Sequence, residues 1–260
     1  MSDLTLRSLY PEDINRVSEI ESNLADSPRR FFLEKRLETA SAMPESFITC
    51  AVLDDRKLAG YGFARILEGE FGSSSAMAVL DTVGVAPEYQ GRGCGKMIMA
   101  GIERRMKNRN ISTLLTQTVW SNHSMIRFFA STGFSLASGQ IIERGTSPLG
   151  RDIDDACTLV RPLTGQDIAV IDRLDAMLTG LDRSAYYASK FREMLDESDV
   201  RVSMVAEKEG VVAGFIMARV DYGEFGQRNK SAVIDTIGVH PDHAGSGIGH
   251  ALLSHLIVKL

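Results

Sequence analysis

Leu80-Asp-Thr-Val-Gly-Val-Ala-Pro87 runs into Gln90-Gly-Arg-Gly-Cys-Gly95, and Ile234-Asp-Thr-Ile-Gly-Val-His-Pro241 runs into Ala244-Gly-Ser-Gly-Ile-Gly249. Each copy reads as an apolar strand, a glycine-rich turn and a helix. That arrangement aims several backbone N–H groups at one point and suits an anion, a phosphate above all. Three glycines in alternation are costly in a plain turn, because each carries about 0.5–1 kcal/mol of backbone entropy relative to alanine. A ligand gives them a reason.

The likeness extends outward at one constant offset of 154, which relates Arg7 to Arg161, Arg65 to Arg219 and Asp81 to Asp235. Asp13-Ile14 returns as Asp167-Ile168, Ala59-Gly60 as Ala213-Gly214, and Gly69-Glu-Phe-Gly72 as Gly223-Glu-Phe-Gly226. One register kept across strands, turns and helices implies a duplicated domain, and the period is too long for a solenoid. The expected domains are 1–150 and 157–260. Residues 107–150 would map to 261–304, so the second copy is expected to be incomplete at its C-terminal end. Its last helix, with Leu252, Leu253, Leu256 and Leu260, repeats the apolar stripe of Ile98, Met99, Ile102 and Met106. Such a stripe needs a cover, and a homodimer through the second domain is one candidate.

The 260 residues are 44% hydrophobic and 24% charged, with no apolar run long enough to span a bilayer and no basic-apolar leader, so a cytoplasmic protein with no membrane partner is expected. Cys50, Cys94 and Cys157 are widely spaced and form no Cys-x-x-Cys pair, which suggests free thiols rather than disulfides or a zinc site. His240 and His243 lack a third ligand, so no metal is expected. A net charge of −5 argues against nucleic acid, while Arg92 and Lys96 leave one local basic spot.

The pattern predicts strands over Leu4–Leu9, Phe47–Asp54, Leu58–Leu67, Ala76–Val85, Thr113–Val119 and Phe134–Ile142. Helices are expected from Pro11-Glu-Asp onward, with Ile14, Val17 and Ile20 on one face, near Phe31–Ala40, after Gly95, and over Ser124–Ser131. The fold class is α/β, with a mixed, mostly antiparallel sheet flanked by helices on both faces, duplicated. Competing phosphate motifs fail on spacing: Met97 follows Lys96 where a P-loop needs Ser or Thr, and Ile98 stands where a dinucleotide fingerprint needs glycine.

This order of elements, with Gln90-x-x-Gly93-x-Gly95 after the strand, resembles the GNAT superfamily of acyl-CoA-dependent N-acetyltransferases. Asn122 and Gly133-Phe134 match the family's Asn, short helix and closing Gly-Phe. The resemblance covers the first copy and the front of the second. It implies acetyl-CoA as co-substrate, with its pyrophosphate on the turn formed by Gln90, Gly91, Arg92, Gly93, Cys94, Gly95 and Lys96. It also implies a backbone N–H within Val83, Gly84 and Val85 that polarises the thioester carbonyl, and a cofactor-side role for Asn122.

Acyl transfer to an amine needs a proton acceptor, a polarised carbonyl and a stabilised leaving thiolate. Asp81 is the first candidate base, because a carboxylate in an apolar strand is desolvated and its pKa raised. The other reading of Asp81 is a buried structural acceptor, since Asp235 repeats it. Glu70 and Glu68, past the preceding strand, are the alternatives. Where many family members carry a catalytic Tyr, seven residues after Asn122, this chain has Phe129. Tyr61 and Tyr89 read as packing or rim residues, and Cys94, although at a helix N-terminus, as a small tolerated side chain beside the pyrophosphate.

Two functions follow from the resemblance. One is direct acetyl transfer from acetyl-CoA to a primary amine, small-molecule or peptide, in the first domain, with the second domain structural or dimerising. The other is a non-catalytic acyl-CoA sensor or assembly module. The acceptor itself is open: Arg29 and Arg30 are as readily solvated helix residues as an anion site. Trp120, the lone tryptophan, offers a reporter close to Asn122.

Overall fold

Lys57–Leu67 (β3) is the spine of the first sheet, buried along nearly its whole length because it is paired on both edges and covered on both faces. Its neighbours are Phe47–Asp54 (β2) and Met77–Val85 (β4), both antiparallel to it, and the sheet order is completed by Leu4–Arg7 (β1) beside β2 and Leu114–Leu115 (β5) parallel to β4. The computed structural model describes residues 4–24, 29–68, 75–137, 142–149, 158–192, 202–221 and 231–260.

Helices Ile14–Leu24 (α1), Arg30–Ala42 (α2), Cys94–Lys107 (α3) and His123–Ser131 (α4) complete the first unit. Val17 and Ile20 on α1, Leu33 and Leu37 on α2, and Ile98, Met99 and Ile102 on α3 are all buried in one core with the sheet residues. The i, i+3, i+4 spacing of these side chains gives each helix a single apolar face. A 3-10 turn over Pro11–Asp13 opens α1, and the Asp13 carboxylate accepts both from the Tyr10 N–H at 2.8 Å and from Arg7 at 2.6 Å.

The second unit repeats the order: strands Thr158–Pro162 (β6), Met204–Lys208 (β7), Val211–Asp221 (β8) and Ser231–Val239 (β9) form an antiparallel sheet with helices Ile168–Thr179 (α5), Ser184–Arg192 (α6) and Ile248–Lys259 (α7). Period-two alternation sorts β8: Phe215 and Met217 pack with Ile171, Leu174 and Tyr187, while Ile216 and Ala218 pack with Ile248, Leu252 and Leu256. The two compact units hold residues 4–67 and 76–137 in the first and 142–149, 158–192, 202–221 and 231–260 in the second, and the expected boundary at 150–157 lies outside the described residues.

Two expected strands differ. Thr113–Val119 shrinks to Leu114–Leu115, because β4 carries a bulge at Asp81: Phe63 pairs with Thr82 and Ala64 with Leu80, leaving Asp81 unopposed. Pairing with β5 ends at Val79, and the Thr116 hydroxyl makes one more link to the Leu80 carbonyl at 3.0 Å. At the other site, residues 134–137 and 142 are not in a strand. Phe134 instead closes α4, its N–H donating to the Phe129 carbonyl at 3.1 Å after Gly133 at φ 90°.

Candidate active site

The bulge at Asp81 turns the end of β4 away from β5, so that from Asp81 to Val85 β4 has, among the described residues, a strand on one side only. The Ala86 N–H donates to the Ala59 carbonyl at 2.9 Å. Alternation then places the N–H and C=O groups of Val83 and Val85 on the opposite, open edge. The Gln90 side-chain amide caps that edge by donating to the Val85 carbonyl at 3.2 Å. Gly84 lies between them facing β3, and a Cβ there would come within 2.6 Å of the Tyr61 ring.

The open edge leads into the glycine turn. Gly91 and Gly93 hold φ of 73° and 83°, values that L side chains rarely adopt, which is the physical need behind two of the three glycines. The third, Gly95, leaves room for the Phe128 ring, which would lie 2.8 Å from an added Cβ. The first bond of the α3 ladder runs from the Met97 N–H to the Gly93 carbonyl at 3.0 Å. The N–H groups of Cys94, Gly95 and Lys96 precede that ladder and, with the positive end of the helix dipole, make an anion cradle. Arg92 and Lys96 stand exposed at its mouth.

Asp81 is buried, as its apolar strand implied, but it is not isolated. Arg65 donates to both of its oxygens, at 3.1 and 3.0 Å, and Arg36 lies 3.5 Å away. A carboxylate between two guanidinium groups has its charged form supported, which removes the desolvation argument for a raised base. Glu70 lies outside the described residues, and Glu68 is exposed just past β3. Asn122 caps α4, its side-chain oxygen accepting from the Met125 N–H at 3.2 Å.

Phe129 is buried against Phe128 and Phe134, with ring centroids 5.4 and 5.0 Å away, so no hydroxyl occupies that position. Burial, with Cys50 nearby, pushes the Cys94 thiol up to about 11, the reverse of what a helix N-terminus alone would do. In the second unit His240 accepts from the Asp242 N–H at 3.2 Å, and among the described residues no cluster is arranged to hold a metal.

A second buried group escaped the sequence reading. The Tyr61 hydroxyl donates to Glu21 at 2.6 Å, and the other oxygen of Glu21 accepts from Arg29 at 2.6 Å. Arg29 continues to the Thr82 hydroxyl at 3.2 Å. Arg29 is therefore a buried ion-pair member, while Arg30 makes an exposed pair with Glu34. Burial, then the neighbouring Glu21, holds the Tyr61 hydroxyl well above the ordinary tyrosine range. The signal was available, since Glu21, Arg29 and Arg36 recur at the same offset as Asp175, Arg183 and Lys190. The ion pairs recur with them, as Asp175 with Arg183 and as Asp235 with Arg219 and Lys190.

A family model described as "Acetyltransferase (GNAT) family" matches residues 12–134 and again 170–260. The chain belongs to the GNAT acetyltransferase family. By that membership it is an acyl-CoA-dependent N-acyltransferase, and the two matched segments make it a tandem GNAT chain. The chain is similar to the [ribosomal protein bS18]-alanine N-acetyltransferase of Escherichia coli K12, at 23% identity over 159 residues, 58% of this chain and 99% of that protein. A solved GCN5-related glucosamine N-acetyltransferase region of a fungal multi-domain GH3 β-N-acetylglucosaminidase aligns over 99% of this chain and 34% of its own, with TM-score 0.65 and 13% identity. The aminoglycoside N-acetyltransferase AAC(6')-Iy in complex with CoA aligns over 56% of this chain and 96% of its own, at TM-score 0.50 and 17% identity. These two likenesses, at 13% and 17% identity, are of fold alone. No helix among the described residues is long and apolar enough to cross a membrane.

Proposed function

We propose that the first unit transfers an acetyl group from acetyl-CoA to a primary amine by direct attack. The observation that carries this is the continuity of the open β4 edge at Val83 and Val85 with the cradle at Gly91–Lys96. A coenzyme A arm lying along the one would put its pyrophosphate on the other. The N–H of Val83 or Val85 then polarises the thioester carbonyl, the amine nitrogen attacks the carbonyl carbon, and the carbon–sulfur bond breaks. With phenylalanine at 129, the departing thiolate takes its proton from water.

For the amine proton, Glu70 and Glu68 remain the candidate acceptors, and Asp81 is assigned to holding the bulge. The second domain, 157–260, is a structural or dimerising partner in this reading. The E. coli relative's action on an alanine of a ribosomal protein, and the aminoglycoside enzyme's fold, leave peptide and small-molecule amines both in view.

The buried Phe129 favours a second reading, an acyl-CoA-binding module without turnover. Calorimetry with coenzyme A on wild type and Gly93→Glu tests the cofactor site; binding that survives the substitution in a folded variant refutes it. Thiol release with a panel of amines separates the readings, because binding without amine-dependent release leaves only the sensor.

A further inference from the structure

The two glycine turns share one backbone and differ in what grips them. Gly91 and Gly93 at φ 73° and 83° are matched by Gly245 and Gly247 at 77° and 86°. In the first unit, the segment leading into the turn is held from outside. Arg16 on α1 donates to Glu88 at 2.7 Å and to the Leu58 carbonyl at 3.2 Å, and Lys57 at the start of β3 reaches the same Glu88 oxygen at 3.1 Å. Next to it the Tyr89 hydroxyl donates to Asp54 at 3.0 Å, and the Arg92 guanidinium lies 5.8 Å from the Tyr89 ring centroid.

At the same offset in the second unit, Arg16 becomes Val170, Lys57 becomes Val211, Asp54 becomes Lys208, Tyr89 becomes His243 and Arg92 becomes Ser246. Asp242, in the place of Glu88, is 85% exposed, with His240 at 3.8 Å. The turn nevertheless has the same shape. The second turn is held locally instead, by the Ser246 hydroxyl donating to the His243 carbonyl at 2.6 Å and by His240 accepting from the Asp242 N–H at 3.2 Å; the turn therefore folds without the ion-pair grip, and that grip at the first turn has another reason.

We infer that Glu88 and Tyr89 are positioning residues for the cofactor: they fix the Gln90–Lys96 cradle and the Arg92 side chain against α1 and the β2–β3 hairpin, so that the diphosphate meets a preorganised site in the first unit. The inference rests on the cofactor reading given above. Preorganisation raises affinity by removing ordering costs at binding, without any new contact to the ligand. Glu88 itself is held down to about 2 by its own backbone N–H, then by Lys57 and Arg16, so it remains a paired anion at neutral pH.

The test is calorimetry with coenzyme A on full-length wild type, Glu88→Gln, Tyr89→Phe and Gly93→Glu, with acetyl-CoA and amine kinetics and thermal midpoints on each. Tyr89→Phe changes no charge, so it isolates positioning from electrostatics. The expected result is Kd for coenzyme A and KM for acetyl-CoA each raised about three- to tenfold in Glu88→Gln and Tyr89→Phe, with kcat and the amine KM unmoved and the thermal midpoint lowered by no more than about 2–4 °C. Lys57→Arg keeps wild-type affinity. Unchanged or tighter binding by both variants, while Gly93→Glu abolishes it, overturns the positioning role and leaves the site standing. A Gly93→Glu protein that binds as wild type overturns the site instead. Should Glu88→Gln unfold, Tyr89→Phe decides alone.

Discussion

The Asp81 carboxylate lies 3.0 Å from the Arg65 Nε across the β3–β4 pair, at the residue of β4 that the register skips. The pair recurs as Asp235 and Arg219 at the matching bulge, between Met217↔Thr236 and Ala218↔Ile234. A bulge leaves backbone unpaired and bends its strand. A buried carboxylate tied to the facing strand holds that bend, and the bend is what opens the β4 edge.

Asp81→Asn should therefore act on stability first. It leaves the buried Arg65 and the half-buried Arg36 beside a neutral amide, a loss of about 3–5 kcal/mol for a broken buried pair. Asp235→Asn is the internal control, and urea denaturation of the two variants should give losses of similar size. A fall in kcat of Asp81→Asn well beyond its folded fraction, with stability intact, would restore Asp81 as the base.

Tyr61 predicts an alkaline limit. Its hydroxyl is held well above the usual range, and that of Tyr187 is also raised, by burial first and then by Asp175. Below about pH 10 the unfolded tyrosines keep their protons as the folded ones do, and stability is unaffected. Above it the unfolded state loses protons that the native state retains, so stability falls as pH rises. Absorbance titration should show these two hydroxyls ionising only with unfolding. Tyr61→Phe, which copies Phe215 of the second unit, should cost about 1 kcal/mol for one hydrogen bond and weaken the pH dependence.

The sequence carried the duplication, the strand–turn–helix motif and the sheet's faces because these are periodic or repeated. Gly91 and Gly93 occupy the left-handed backbone that their residue type suits. Pairings across long separations were not legible: Glu21 and Tyr61 are joined only once α1 is laid on the sheet, 40 residues apart in the chain. Asp81 shows the limit of reasoning from burial. An apolar strand foretells desolvation, but whether an arginine shares the site depends on register, and a single bulge decides it. The same bulge shortened β5, which alternation over Thr113–Val119 had no means to foresee.

Cys94 and Cys50 should be inert in the folded protein. Both are buried, and burial raises both thiols, Cys94 to about 11. At pH 8 a thiol-specific disulfide reagent should leave both unmodified in native protein and react with both on denaturation, read residue by residue by peptide mapping. Cys94→Ala should keep its activity. Rapid native labelling of Cys94 would show instead that its thiol is accessible and reactive in the folded protein.

Gly84 tests the link between Tyr61 and the reactive edge. An added Cβ would stand 2.6 Å from the Tyr61 ring carbon and 3.1 Å from its hydroxyl, so either the ring or the strand has to shift. The ring is fully buried and tied to Glu21, which leaves the strand as the softer element on its open side. Gly84→Ala should lose about 1–3 kcal/mol through overpacking. Because Val83 and Val85 flank it, kcat should fall more steeply than KM for acetyl-CoA rises; a misplacement of about 1 Å costs up to about a hundredfold. Adding Tyr61→Leu to Gly84→Ala removes the clash and should recover the overpacking loss, less about 1 kcal/mol for the missing hydrogen bond to Glu21, and most of kcat. Recovery of stability alone would mean that the Tyr61 hydroxyl contributes to the reaction in its own right, rather than only through the strand it packs against.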